Sequence, residues 1–168
     1  GSDGLMTVLD WLAPTDKPFR KGVMLGFDAR HTRGHVYRSI LEAIAVTMKD
    51  KVDAMCAELG TSLREVVVSG GGSTSPLFMQ IFADVFGIPA SRATGSSGAS
   101  LGAAICAAVA TGVYPDFATA VARMEKPRQA FAPDTAHTAT YQRLNEAAYR
   151  HVREATDPVL ERSFPLFH

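Results

Sequence analysis

The run Ser69-Gly70-Gly71-Gly72-Ser73-Thr74-Ser75 sets three consecutive glycines between a β-branched stretch and a helix-like one. Bare backbone is costly, because glycine loses more conformational freedom on folding than any other residue, so the loop needs a compensating use. A tight turn with no ligand is one use. A dinucleotide fingerprint is a second: Gly70-x-Gly72-x-x-Ser75 lacks only the motif's third glycine, and Arg92 falls about where a 2′-phosphate partner would stand. A nucleotide cradle is a third. There the backbone of Gly70, Gly71 and Gly72 passes under adenosine or phosphates, and the helix starting near Ser75 aims its free N–H groups at the ligand. A P-loop is excluded, since no glycine precedes Lys and Ser or Thr at the required spacing.

Other reactive residue types read as structural. His31 and His35 are four apart, as zinc ligands on one helix face are, but the segment lacks the Glu of the zinc-protease pattern. Ordinary hydrogen bonds at a helix start are the better reading. Ser73, Thr74 and Ser75 lack a Gly-x-Ser-x-Gly setting and an identifiable base, which argues against a covalent nucleophile. Asp28, Arg30 and Arg33 read equally well as cleft residues or as a local solvated ion pair.

The elements that would position the loop follow from periodicity and breakers. After a weak opening over residues 1–22, with an apolar patch at Leu9, Trp11 and Leu12, a long helix starts at Thr32. Its apolar residues recur every three or four positions from Val36 to Leu59, and Gly60 supplies the stop. Residues 66–69 form a buried strand. A helix covers 75–86, with Pro76 in its first turn, where a missing N–H costs nothing. A second strand spans 88–93, and strand–helix–strand units of this kind are parallel and right-handed. A polar loop at 94–98 leads to an Ala- and Gly-rich helix at 99–111. A short helix at 116–124, a connection punctuated by Pro127 and Pro133, and a polar helix at about 136–155 complete the series.

Composition narrows the class of partner. With 168 residues and 46% hydrophobic composition, the chain can bury one sizeable core. Seventeen basic and seventeen acidic residues cancel, and no basic run suggests nucleic acid or a membrane surface. Cys56 and Cys106 read as buried free thiols, which fits a reducing cytoplasm. Gly1-Ser2 reads as a cloning remnant, and residues 1–19 as a segment ahead of the domain proper at 20–168.

Three segments together carry a resemblance. "SGGGSTSPLFMQIFADVFGIPA" is similar to the adenosine-binding loop and following helix of the FGGY family of carbohydrate kinases, on its xylulokinase side. "GVMLGFDARHTRGHVYRSILEAIA" resembles the family's second signature. "ASLGAAICAAVATGVYP" resembles the small-residue helix after the adenosine loop. One departure is "DWLAPTDKPFRKG", which stands where a Gly-Glu-Arg-type segment would be expected.

The resemblance implies an α/β, actin-like (RNase H-like) ATPase fold, of which this chain is a C-terminal part. It implies ATP with Mg²⁺ as cofactors, and phosphoryl transfer to a hydroxyl of a ketose or polyol, with a pentulose favoured. Gly70, Gly71 and Gly72 would accommodate the nucleotide, and Ser75 would contact adenine. The general base and phosphate loop would belong to an N-terminal domain of the same protein, so no catalytic or metal-ligating residue is assigned here. A homodimer stays open. The alternatives are a non-catalytic nucleotide-binding module and an NADP-binding Rossmann domain.

Overall fold

The computed structural model describes residues 1–93, 98–125 and 128–167. Strands β1 (Met6–Val8) and β2 (Val23–Leu25) pair antiparallel, with Met6 opposite Leu25. Helix α1 (Arg33–Leu59) follows. Its bounds are set by local chemistry: the Thr32 N–H donates to His35 Nδ1 at 3.0 Å, and Gly60 takes the left-handed conformation (φ 61°) that ends helices.

Strand β3 (Val66–Val67), helix α2 (Pro76–Phe86) and strand β4 (Ala90–Ala93) form the expected parallel unit, in register Val66 opposite Ala90. The ladder runs one step further, because the Val68 N–H donates to the Ser91 carbonyl at 2.8 Å. Helix α3 (Gly98–Ala110) and helix α4 (Phe117–Met124) come next, the latter capped by Asp116, whose carboxylate accepts from the Thr119 N–H at 2.7 Å. Strand β5 (Arg128–Phe131) then pairs antiparallel with β4. Helix α5 (Thr135–Leu144) and helix α6 (Arg150–Ser163) are joined through a π-helical turn, Asn145–Tyr149.

The core forms where α2 is sandwiched. Met79, Ile81, Phe82, Ala83 and Val85 are buried against Leu41, Ala45 and Val46 of α1 and Tyr141 of α5. Each such large apolar side chain contributes roughly 1.5–3 kcal/mol by leaving water. Asp84 is also buried on α2 (2% exposed), and its carboxylate accepts from the Asp134 backbone N–H at 2.9 Å and Gln80 Nε2 at 2.8 Å. That arrangement ties the start of α5 to α2. The rear of the glycine loop therefore rests on the best-packed element of the chain.

Several expectations are corrected. β5 occupies what reads in sequence as an irregular connection; Pro127 itself lies outside the described residues, as do residues 94–97 of the expected polar loop. Cys56 is buried, but Cys106 is exposed, because α3 packs mainly on α4 and none of its described residues is fully buried. The final helical run extends past Ala155 and carries Pro158 inside it. Beyond these corrections, Trp11 and Leu12 of the opening patch are exposed, and Ser2 is buried and donates to Glu42 Oε2 at 2.7 Å.

Candidate nucleotide site

Two parallel strands end side by side at β3 and β4, and a cavity of about 660 Å³ opens beyond their carboxyl ends. Open α/β sheets bind ligands in this position, because the connections diverge there and leave a crevice. One wall is the turn itself, with Ser69, Gly70 and Gly71, together with Arg92 and Ala93 from β4. Leu101 and Ile105 of α3 and Val121 of α4 make an apolar side, and Glu125, Arg128 and Gln129 a polar one.

Each residue of the turn has an identifiable task. Gly70 sits at φ 94°, a conformation that side chains rarely adopt. Gly71 to Thr74 form a single 3₁₀ turn. Hydroxyls stitch it: Ser73 Oγ donates to the Gly70 carbonyl and Thr74 Oγ1 to the Gly71 carbonyl, both at 2.7 Å. A Cβ on Gly72 would come within 2.7 Å of the Phe78 ring, so that glycine exists to let α2 pack. A Cβ on Gly71 would meet nothing within 4 Å. Gly71 therefore borders open space at the cavity wall.

Of the residues singled out in sequence, Gly70 and Gly71 line the cavity; Gly72 and Ser75 are not among its lining. Ser75 is the N-cap of α2, its Oγ accepting from the Phe78 N–H at 3.3 Å. Ser75→Ala should accordingly lower stability by about 1 kcal/mol, the usual cost of a lost N-cap, and barely change ATP affinity. Parallel denaturation and titration calorimetry check this; a loss of several kcal/mol in binding would instead put the hydroxyl on the ligand.

The remaining candidates are held in local networks. His31 Nδ1 accepts from the Asp28 N–H at 2.8 Å, its Nε2 lies 3.1 Å from the Asp3 carbonyl, and the His31 and His35 rings meet edge to face. Arg30 pairs with Asp28 at 2.7 Å, and its guanidinium holds that carboxyl near pKa 2. Among the described residues, no group of three or more His, Cys, Asp or Glu side chains could hold a metal ion. The cavity's one carboxylate among the described lining residues, Glu125, is tied to Arg128 at 2.7 Å and keeps that guanidinium more firmly protonated.

Sequence reasoning missed the far wall. Glu125, Arg128 and Gln129 carry no motif, and only the pairing of β5 with β4 brings the last two to the site. Arg92, read as a possible 2′-phosphate partner, is engaged instead with the Ser73 carbonyl and Gln129.

Comparison with solved structures and with family profiles identifies this arrangement, a glycine turn behind two parallel strands backed by a buried helix, as the C-terminal part of an actin-like ATPase fold. Xylulose kinase from Rhodospirillum rubrum superposes with a TM-score of 0.78 at 30% identity, over 96% of this chain and 32% of that one. Plasmodium falciparum glycerol kinase with ADP shares the fold at a TM-score of 0.70 and 21% identity, over 90% of this chain and 31% of that one. The profile of the C-terminal domain of the FGGY family of carbohydrate kinases matches residues 9–111, and the chain belongs to that family.

Among curated relatives, the Escherichia coli protein described as "Uncharacterized sugar kinase YgcE" is 45% identical over all 168 residues, which make up 34% of its length. A ribulokinase of Mycolicibacterium smegmatis is 40% identical over 127 residues, 75% of this chain and 22% of its own. A glycerol kinase of Trichlorobacter lovleyi is 38% identical over 121 residues, 72% of this chain and 24% of its own. The chain thus spans about a third or less of the relatives it matches. Among the described residues, no helix is long and apolar enough to cross a membrane.

Proposed function

We propose that this chain is the nucleotide-holding part of an ATP-dependent carbohydrate kinase that phosphorylates a hydroxyl of a ketose or polyol. The observation that carries the reading is Gly71, which borders open space in a cavity of about 660 Å³ and lies in the loop that resembles the family's adenosine loop. Gly70 gives the chain its turn, Gly71 leaves room for the nucleotide, and the apolar side formed by Leu101, Ile105 and Val121 suits a flat base. The ADP held by a relative of the same fold supports ATP as the ligand.

Phosphoryl transfer needs positioning and charge neutralisation more than covalent chemistry from the protein. Mg²⁺ commonly keeps several waters and binds through substrate phosphates, so it would arrive with ATP. A paired Glu125 is a poor base for a sugar hydroxyl. That task falls to the remaining domain of the same protein, which is the chain's principal partner in this reading. A pentulose is the favoured acceptor, supported by the xylulose kinase and ribulokinase likenesses, with a glycerol-like polyol next on the strength of the glycerol kinases. An ADP-release screen of the full-length protein against pentuloses, hexuloses and polyols tests the assignment. Acceptor-dependent turnover with any member supports a carbohydrate kinase, and a uniformly silent panel from protein that binds ATP favours a non-catalytic module.

A further inference from the structure

The geometry points to Arg92 as a positioning residue of this site, a clamp that fixes the glycine turn to the sheet. This rests on the nucleotide reading above for its consequence, but the clamp itself is visible in the free chain. One guanidinium nitrogen, Nη1, donates to the Ser73 carbonyl. The other two, Nε and Nη2, donate to the single Oε1 of Gln129 on β5 at 3.1 and 2.8 Å. The guanidinium carbon also lies 5.4 Å from the centroid of the Phe131 ring. Three contacts, one on the turn and two on β5, leave the planar group little freedom.

Ser73 is the point where this matters. Its N–H and its hydroxyl both reach back to the Gly70 carbonyl, at 3.1 and 2.7 Å, while its own carbonyl goes forward to Arg92. Ser73 is thereby held from both sides, and Gly71 lies inside the loop so closed. The peptide planes that border the nucleotide space are set from β4 and β5 as well as from α2. A fork with fixed angles can do this; a lysine, with a single flexible ammonium, cannot span the carbonyl and the amide together.

Arg92→Lys and Arg92→Met are therefore expected to behave alike, despite their difference in charge. In the free protein, the Ser73 and Ser75 amides should exchange with solvent about tenfold faster, with core amides of α2 unchanged, because local opening costs less free energy. In the full-length protein, both variants should raise the Kd for ATP by about tenfold, in the range of one lost charge-assisted hydrogen bond. Gln129→Leu, at an exposed position, removes the guanidinium's lock and should shift both readouts the same way by less; it serves if an Arg92 variant fails to fold.

Unchanged exchange at Ser73 in a folded Arg92→Met protein overturns the clamp. So does full recovery by Arg92→Lys, which would show that charge alone is used. If Gly71→Val leaves ATP binding intact, the nucleotide reading fails separately, and the exchange rates still decide whether Arg92 holds the turn.

Discussion

Gly71→Val will abolish measurable ATP binding while leaving the protein folded. The two halves of that expectation have different origins. Folding survives because a Cβ at this position meets nothing within 4 Å, and Gly71 lies outside the positive-φ conformation that excludes side chains. Binding fails because the added isopropyl group extends into the cavity that the turn borders. Overpacking a close contact costs at least about 1–3 kcal/mol, and a ligand that must sit flat against backbone has no alternative pose, so a loss of 100-fold or more is expected. Neighbouring substitutions will not separate the two effects. Gly70→Val forces a branched residue into φ 94°, and Gly72→Val drives into Phe78. Titration calorimetry with ATP beside a thermal melt decides the matter: undiminished affinity in a folded Gly71→Val protein would remove the adenosine-loop assignment.

The second large effect is expected from the chain taken alone. These 168 residues should bind ATP weakly and turn over no sugar, although the full-length protein is a kinase in our reading. In-line transfer requires the nucleotide and acceptor to be held between two closing domains that exclude water. A positioned general base is worth about 10² to 10⁴ in rate, and lost alignment costs more still. The described lining of the cavity offers only Glu125 as a carboxylate, already paired with Arg128. A coupled ADP-release assay on the chain and on the full-length protein, with the same ketoses and polyols, measures the difference. Sugar-dependent release from the chain at a comparable rate would place the catalytic groups within it.

The elements that sequence made legible are those whose ends carry their own chemistry. Thr32, Gly60, Ser75 with Pro76, and Gly87 each stop or start a helix by local hydrogen bonding or φ, and α1 and α2 lie within a residue or so of where these residues put them. β5 was hidden for the opposite reason. Arg-Gln-Ala-Phe shows neither alternation nor β-branching, and its extended state comes from the edge of β4. Cys106 misled because α3 is apolar around its circumference, which ordinarily signals burial, whereas the described chain packs it mainly on α4. In the candidate site, the motif singles out Gly70 and Gly71, and both line the cavity. The purpose of Gly72 was not legible, because it depends on a phenylalanine ring six residues further on.

The cavity has walls of two provenances. Its turn, β4 and α3 lie within residues 9–111, the stretch by which the family is recognised, while Val121, Glu125, Arg128 and Gln129 lie beyond it. Substitutions at those four positions can reshape the room without altering the address on the door. If the cavity holds the nucleotide as proposed, two chains with the same family signature can differ in nucleotide preference, and a survey of nucleotide choice across relatives needs to read α4 and β5 alongside the glycines.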